Sequence, residues 1–594
     1  MIEQSWRQLD HFERVMFAQL YIFRGGFTRH AAQLIVPSTM RDLIYLVDKS
    51  LVRRTSNGRY SIHPLVAQFI ADQAKDKDEL AERHCRYYLE WVVEHAAELN
   101  DYHARGVLEQ FRIDLENIRA AWQYAVAHQL LELGRRAVGA LGEFYDYSGL
   151  LQPALDIFAA ALSHVQDAAW RGALYVECAY FYVRVAQFDR AAHAVAQARV
   201  LNQALGDAVL QARIEYTNGL VLVRRGDYAL APECLERAQR LAEKALRHDI
   251  VAKALLARAL VYRMQGNASA TIQVAENALD LSRQIGNRRL EGRALSDLGY
   301  YLLMSSKQDR AGVLLARALE IRQSMGDPWG EAATAGNLVA LYAGQARYQA
   351  ALDLQERVLA LCQEVGDRSS YCLALGNLGV LWLDIGDVGR GEQLANKTFA
   401  LATELNLRWG ELSALICMSN AQFERGTWES AARVAQQALA SAEKSQALPE
   451  QALAGLILSQ ALSAQDQFQV ALEVCRKANA CARQVDDPVL ECELAVEQVY
   501  LVWQCGDLEL ARQQVEGVLE RLRQVTPSNQ LAWFRMCWQL YQVLRACGDA
   551  RADELLLKTQ RILETQAAQI TEPTLREIFL NNPAHRVILK ATDR

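Results

Sequence analysis

The sequence predicts an all-α protein: a long solenoid of paired helices, preceded by a small head that mixes helices with one β-hairpin. Three observations lead there. A strict 40-residue period runs through the middle of the chain, proline is scarce at 10 in 594 residues, and the first 76 residues follow a pattern of their own. Scarce proline favours helices because each one removes a helical donor and clashes with the preceding turn, whereas the abundant Ala, Leu, Gln, Glu and Arg lose little freedom there.

In the head, Leu9, Phe12, Met16 and Leu20 fall on one helical face, Gly25 and Gly26 stop that helix, and Thr28 caps a short second one through Leu34. A third helix spans about Thr39 to Lys49. The run "LVRRTSNGRYSI" then gives two short strands around Ser56, Asn57 and Gly58, a turn that suits left-handed backbone, before a helix from Pro64 to Ala74. Three helices and a hairpin are the parts of a winged helix, assigned to residues 1–76. Residues 77–130 follow, of which 79–98 and 105–128 resemble a helical linker.

The period organises residues 131–565. Ala186, Gly226, Gly266, Ser306, Ala346, Gly386, Gly426, Asp466 and Gly506 form one column, every member small or turn-forming. Two residues on, Phe188, Tyr228, Tyr348, Trp428 and Phe468 lead a column of apolar plugs entering the next helix. Further columns (Ala191, Ala231, Thr271, Ala311, and Ala198, Ala238, Ala278, Ala318, with their successors) are small and seven apart, so they share a helical face that a neighbour can approach closely. Half a period after each turn comes Gly206-Asp207, Gly286-Asn287, Gly326-Asp327, Gly366-Asp367 or Asp486-Asp487, where one residue can end a helix and the next can start one. Each repeat is therefore a helical hairpin, and about eleven are expected, with a cap or tail at 566–594.

Composition narrows the function. A formal charge of -6 covers no polyanion-binding field, and no apolar run approaches membrane-spanning length, so a cytoplasmic protein is expected. The 12 cysteines form no Cys-x-x-Cys and no zinc-spaced cluster, so they read as reduced thiols and no metal is expected. No Gly-Lys dipeptide occurs, which removes the phosphate-cradling loop of an ATPase, and no catalytic elbow or zinc-binding helix appears. No enzyme is expected and no catalytic residue is assigned. The head carries nine basic and six acidic residues over 1–74, far short of a strongly basic DNA module, although Arg53, Arg54 and Arg59 make its hairpin basic.

The pattern of small residue, aromatic and paired alanines, preceded by helices such as "AGNLVALY" and "LGNLGVLW", resembles the tetratricopeptide repeat, with a 40-residue period in place of the usual 34. The HEAT repeat has a nearer period but lacks the aromatic-x-x-Ala signature. The resemblance implies a right-handed superhelix whose first helices line the concave side. That mapping places Tyr180, Arg184, Tyr216, Arg224, Arg263, Arg293 and Tyr300 on the inner wall, followed by Asn337 and Asn377, as a face for a protein or peptide ligand.

The runs "SWRQLDHFERVMFAQLYIFRGGFTRHAA", "LIYLVDKSLVRR" and "RYSIHPLVAQFIADQA" resemble the winged helix that closes the nucleotide-binding module of signal-transduction ATPases with numerous domains (STAND), the group that includes bacterial relatives of NOD-like receptors. By this resemblance His63 matches the histidine of a Met-His-Asp motif that reads the phosphates of bound ADP, with Ile62 where Met is usual and Pro64 in place of Asp. In this chain, which lacks the phosphate loop, His63 is expected to cap the helix that Pro64 opens, and ATP or ADP is expected only with an upstream nucleotide-binding module. The resemblance implies a sensor region cut from a larger receptor, partnered in cis by that ATPase and an effector. A transcription regulator reading DNA through the winged helix, or a constitutive repeat scaffold, are the alternatives.

Overall fold

The computed structural model describes residues 2–36, 38–56, 58–74, 77–305, 307–485, 487–525 and 530–591. Asn57, Ser306 and Asp486, three of the predicted turn residues, lie outside them. Among the described residues the chain is all-α but for one hairpin, and it divides into two compact units: Met1–Phe181 with His193–Leu210, and Tyr182–Ala192 with Gln211–Arg594.

In the first unit the head runs α1 (Ile2–Arg7), α2 (His11–Gln19), α3 (Arg29–Ile35), α4 (Met40–Asp48), β1 (Arg53–Arg54), β2 (Tyr60–Ser61) and α5 (Pro64–Gln73). The starts follow from side-chain oxygens placed to take orphan amides: Asp10 with Glu13 and Thr39 with Asp42 form reciprocal capping boxes, and Thr28 accepts from Ala31. The strands pair antiparallel, Arg53 with Ser61 and Arg54 with Tyr60, and a bridge from Phe27 to Tyr60 adds a third edge. Leu9, Met16 and Leu20 are buried as the helical face predicts, but Phe12 is 57% exposed, because the interior is already filled by Phe17, Phe23 and Phe27.

Two longer helices follow, α6 (Lys77–His95) and α7 (Ala104–Ala127). A buried polar network ties α7 to the head. The Arg59 guanidinium makes two hydrogen bonds to the Asp114 carboxylate, one of 3.2 Å, while Asn117 accepts from the Arg24 amide at 2.6 Å and donates to the Gly26 carbonyl at 2.9 Å. Arg59, counted above among the basic residues of the hairpin, is thus buried and paired, not offered to solvent. Beside Asn117, burial pulls the His84 imidazole down to about 4.

From Leu131 to Gln569 the helices alternate as first and second members of hairpins. Every described member of the predicted turn column has left-handed backbone, from Ala346 at φ +57° to Gly386 at +109°, which is why five of the nine are glycine. The small columns are buried throughout: Ala191, Ala231, Ala311, Ala351, Ala431, Ala471 and Ala511 are all inaccessible to water. The aromatic plugs divide, for Phe188, Tyr228 and Tyr348 are buried whereas Trp428 is 43% exposed.

Within the second unit the array winds back onto itself. Ala186 and Phe188 share a core with Leu405 and Leu407, a Cβ on Gly226 would lie 3.8 Å from the Ser445 Cβ, and one on Gly266 would lie 2.5 Å from the Val485 Cα. The contacts from 186 to 405, 226 to 445 and 266 to 485 all span 219 residues, about five and a half periods per superhelical turn. Further along, the Tyr348 ring lies 5.7 Å from that of Phe579, on the helix Pro573–Asn581.

Candidate functional site

The self-contact encloses a space. Because turn-to-turn contacts fall at the loop ends of the hairpins, the first helices face inward around a common interior. Eight of them, Ala208–Arg225, His248–Met264, Arg288–Met304, Arg368–Ile385, Arg408–Glu424, Leu448–Ser463, Pro488–Gln504 and Gln530–Ala546, line one cavity of about 400 Å³. That lies within the usual range of ligand sites, roughly 300–1,000 Å³.

Its lining is apolar between charged groups. Met264, Met304, Leu412, Ile416, Leu453, Leu456 and Ile457 supply the apolar wall, with Tyr228, Tyr300 and Trp409 as flat faces. Asn420, Ser413, Gln460 and Gln539 punctuate it with amides and a hydroxyl that could hold peptide backbone.

Three of the predicted inner-wall residues meet here: Arg224, Arg263 and Tyr300. The Arg263 guanidinium lies 5.7 Å from the centre of the Tyr300 ring and donates to the Met264 sulfur at 2.9 Å. Arg224 is open to solvent in the cavity, yet loss of bulk solvent, then the nearby Arg293, pulls its guanidinium below the ordinary arginine value. Among the described residues neither arginine has an ion-pair partner.

The other predicted positions lie elsewhere. Arg184 stacks 4.5 Å over Trp329, whose indole donates to Asp367 at 2.6 Å. Arg293 pairs with Asp297 at 3.6 Å, Tyr216 is buried, and the Asn337 amide is used between helices, donating to the Ser296 carbonyl and hydroxyl at 3.3 and 3.1 Å. Asn377 is half-buried outside the cavity lining. Tyr180 belongs to the first unit, its hydroxyl donating to Asp146 at 3.1 Å. His63, also in the first unit, is exposed and caps α5 by accepting from the Leu65 amide at 3.3 Å.

Sequence reasoning missed the cavity's acids. Asp384 is 6% exposed, has no hydrogen-bond or ion-pair partner among the described residues, and is pushed up to about 7 by burial alone. Glu493 is likewise pushed up to about 7, first by burial and then by Asp487, against the pull of Arg535. Glu450 has a buried, unpartnered carboxylate oxygen. Glu424 differs, for it pairs with Arg535, which also donates to Gln460 at 2.6 Å and lies 4.8 Å over the Phe423 ring. The signal that could have found these acids is a single carboxylate set within an apolar first helix, as in "VLWLDIG". Among the described residues no group of three His, Cys, Asp or Glu could hold a metal, and no helix is long and apolar enough to cross a membrane.

No family model matches the chain, and no curated protein matches it. Solved structures do. A STAND protein with a tetratricopeptide repeat sensor from Pyrococcus horikoshii is similar over 71% of this chain at 16% identity and a TM-score of 0.47. The chain spans only 62% of that protein's length. A Rap protein complexed with Competence and Sporulation Factor is similar over 61% of this chain and 99% of its own (13% identity, TM-score 0.47), and the Cut9 and Hcn1 hetero-tetramer of the APC/C over 86% and 96% (14% identity, TM-score 0.45).

Proposed function

We propose that the second unit is the sensing part of a signalling protein and binds a peptide or a peptide-like segment of a protein inside its superhelix. The observation that supports this is the cavity itself. It gathers side chains from eight first helices, so an occupant would touch hairpins far apart in sequence and bias how tightly the array winds. A ligand switches a protein only by its differential affinity for two arrangements, and the turn-to-turn contacts at Gly226 and Gly266 are the contacts such a change would alter.

In the finer form of this reading the region serves a STAND-type ATPase, the head acting as a winged helix that relays the event to a nucleotide-binding module outside this chain. The order of helices and strands in the head supports it, as do the exposed Phe12, Leu34, Ile44 and Leu65, a set of apolar side chains suited to a neighbouring domain. His63 stands exposed at a helix N-terminus, where it could meet a phosphate if one were supplied. The role is one of binding, with no chemistry assigned to this chain.

The test of the sensing role is panning of a displayed random-peptide library against the whole protein. Peptides so selected should lose binding to a variant carrying Arg224→Glu and Arg263→Glu; undiminished binding would remove the cavity from the proposal. The relay is tested by the coding sequence immediately upstream of Met1, where an ATPase module supports it and its absence defeats it.

A further inference from the structure

Most charges of the cavity do not pair. Of its lining groups, Glu424 and Arg535 satisfy one another, and Asp487 caps the helix Pro488–Gln504 by accepting from Val489 and Leu490. What remains is Arg224, Arg263 and Arg408 on the cationic side and Asp384, Glu450 and Glu493 on the anionic side, none of them in an ion pair with any described residue. A buried charge without a partner is costly, since it loses solvent and gains nothing in return, and here Asp384 and the inner oxygen of Glu450 carry that cost.

The placement of these groups is informative. Arg224 and Arg263 end neighbouring first helices, and both act on Tyr228, as does the Glu450 carboxylate, which lies on the same side of the cavity near Arg263. Asp384, on the helix Arg368–Ile385, feels no nearby cation: the titratable groups that feel its charge are the buried Tyr348 hydroxyl and the Cys417 thiol, and burial alone raises its carboxyl. An uncharged ligand would displace the remaining water and leave both ends worse off. A ligand with a single charge would relieve one end only.

Resting on the reading of the cavity as a peptide site, we infer that its occupant is a short dipolar peptide, with a carboxylate held by Arg224 and Arg263, an ammonium or guanidinium held by Asp384, and apolar side chains between them. Arginine suits the carboxylate end because its planar fork binds carboxylate at two points. A single buried carboxylate suits the cationic end, where a compact charge can enter an apolar recess only if it is met there. Tyr228, Tyr300, Met264 and Met304 lie on the cationic wall as apolar contacts.

The experiment uses the full chain and four pools of tetrapeptides blocked as N-acetyl amides, all with Leu or Phe at the two central positions. One pool carries Glu at one end and Lys at the other, in both orders; the second replaces Glu by Gln, the third replaces Lys by Gln, and the fourth replaces both. Binding is read from thermal shift and from tryptophan fluorescence, with Trp409 in the wall as reporter. The dipolar pool should bind at least tenfold more tightly than either singly charged pool. Arg224→Gln should abolish the preference for Glu, and Asp384→Asn the preference for Lys, in proteins whose circular dichroism and melting show them folded. Equal binding of the dipolar and neutral pools, or preferences that survive both substitutions, overturns the inference while leaving a peptide site in place. Failure of all four pools to bind overturns the peptide reading and this inference with it.

Discussion

The two units treat buried charge in opposite ways. In the first, the Arg59 guanidinium meets the Asp114 carboxylate, Asn117 serves two backbone segments of the head, and the interior polar groups fasten α7 to that head. In the second, Asp384 is buried with no hydrogen-bond or ion-pair partner among the described residues, and Glu493 lies near Asp487 and Arg535 without pairing, in the cavity that Arg224 and Arg263 also line. A satisfied network specifies one arrangement, and an unsatisfied one specifies what is missing from it. The contrast therefore separates groups that hold the fold from groups left unpaired, the ones proposed above to meet a ligand, and substitutions can test it directly.

The largest effect is expected where pairing is complete. Asp114→Ala removes the carboxylate that pairs with the buried Arg59 guanidinium and should cost about 3–5 kcal/mol. Hydrogen exchange should show the loss as early opening of the head and α7, and a loss confined to a few tenths of that size would mean that the pair is not what fastens them.

The same kind of change should have the opposite sign at Asp384. Its carboxyl keeps a proton up to about 7 in the folded protein, whereas the unfolded chain releases it near the ordinary 3.8. Between those values the folded state binds more protons, so the wild type loses stability as pH rises through that window and the curve flattens above about pH 7. Asp384→Asn removes that slope, and should raise stability by about 2–4 kcal/mol at pH 8 and by almost nothing below pH 4. Urea denaturation at a series of pH values checks this. A destabilised Asp384→Asn at pH 8 would mean that the carboxylate has a partner after all.

How far the sequence could foresee this contrast differs from part to part. The hairpins were legible because their signals are local: a left-handed residue closes each turn, and small residues seven apart mark the face on which helices meet. The cap at Thr28 was legible for the same reason, whereas Thr39, read as the first residue of its helix, is the cap before it. Three cavity residues, Arg224, Arg263 and Tyr300, followed from knowing which helix of a hairpin turns inward. The acids opposite them did not, because the cavity exists only where stretches 219 residues apart come into contact, and a period of 40 does not reveal how many repeats complete a turn. Asn337 misled for the related reason that an inward helix still uses some polar groups on its neighbour, here Ser296. Phe12 and Trp428 show the limit of reading a face as buried from spacing alone, since each is apolar, correctly spaced and exposed.

The frame around the unpaired charges is sensitive at Gly266. Its φ of +76° is strained for other residues, and a Cβ there would lie 2.5 Å from the Val485 Cα, so backbone must shift to admit it. Gly266→Ala should cost about 2 kcal/mol and loosen the closure that holds the two sides of the cavity opposite one another. Raised hydrogen exchange at both 264–268 and 483–487 would mark that opening, and exchange raised at only one would show that the contact does not close the turn.

The smallest effect tests whether the turns themselves are optimised or merely tolerated. Leu246 closes its turn at φ +55°, where a side chain costs roughly 1–2 kcal/mol, and it is 75% exposed, so it packs against little. Leu246→Gly relieves that strain but adds freedom to the unfolded chain, which takes back about 0.4–1 kcal/mol, for a net gain of about 0.5–1 kcal/mol. Ala346 has nearly the same φ, +57°, but is buried beneath the later turn of the array, so Ala346→Gly also forfeits a packed methyl worth about 0.8 kcal/mol. Its net change should lie close to zero. Paired melting curves of the two variants isolate the packing contribution of the wound array, and equal shifts would show that the strain, not the burial, decides both.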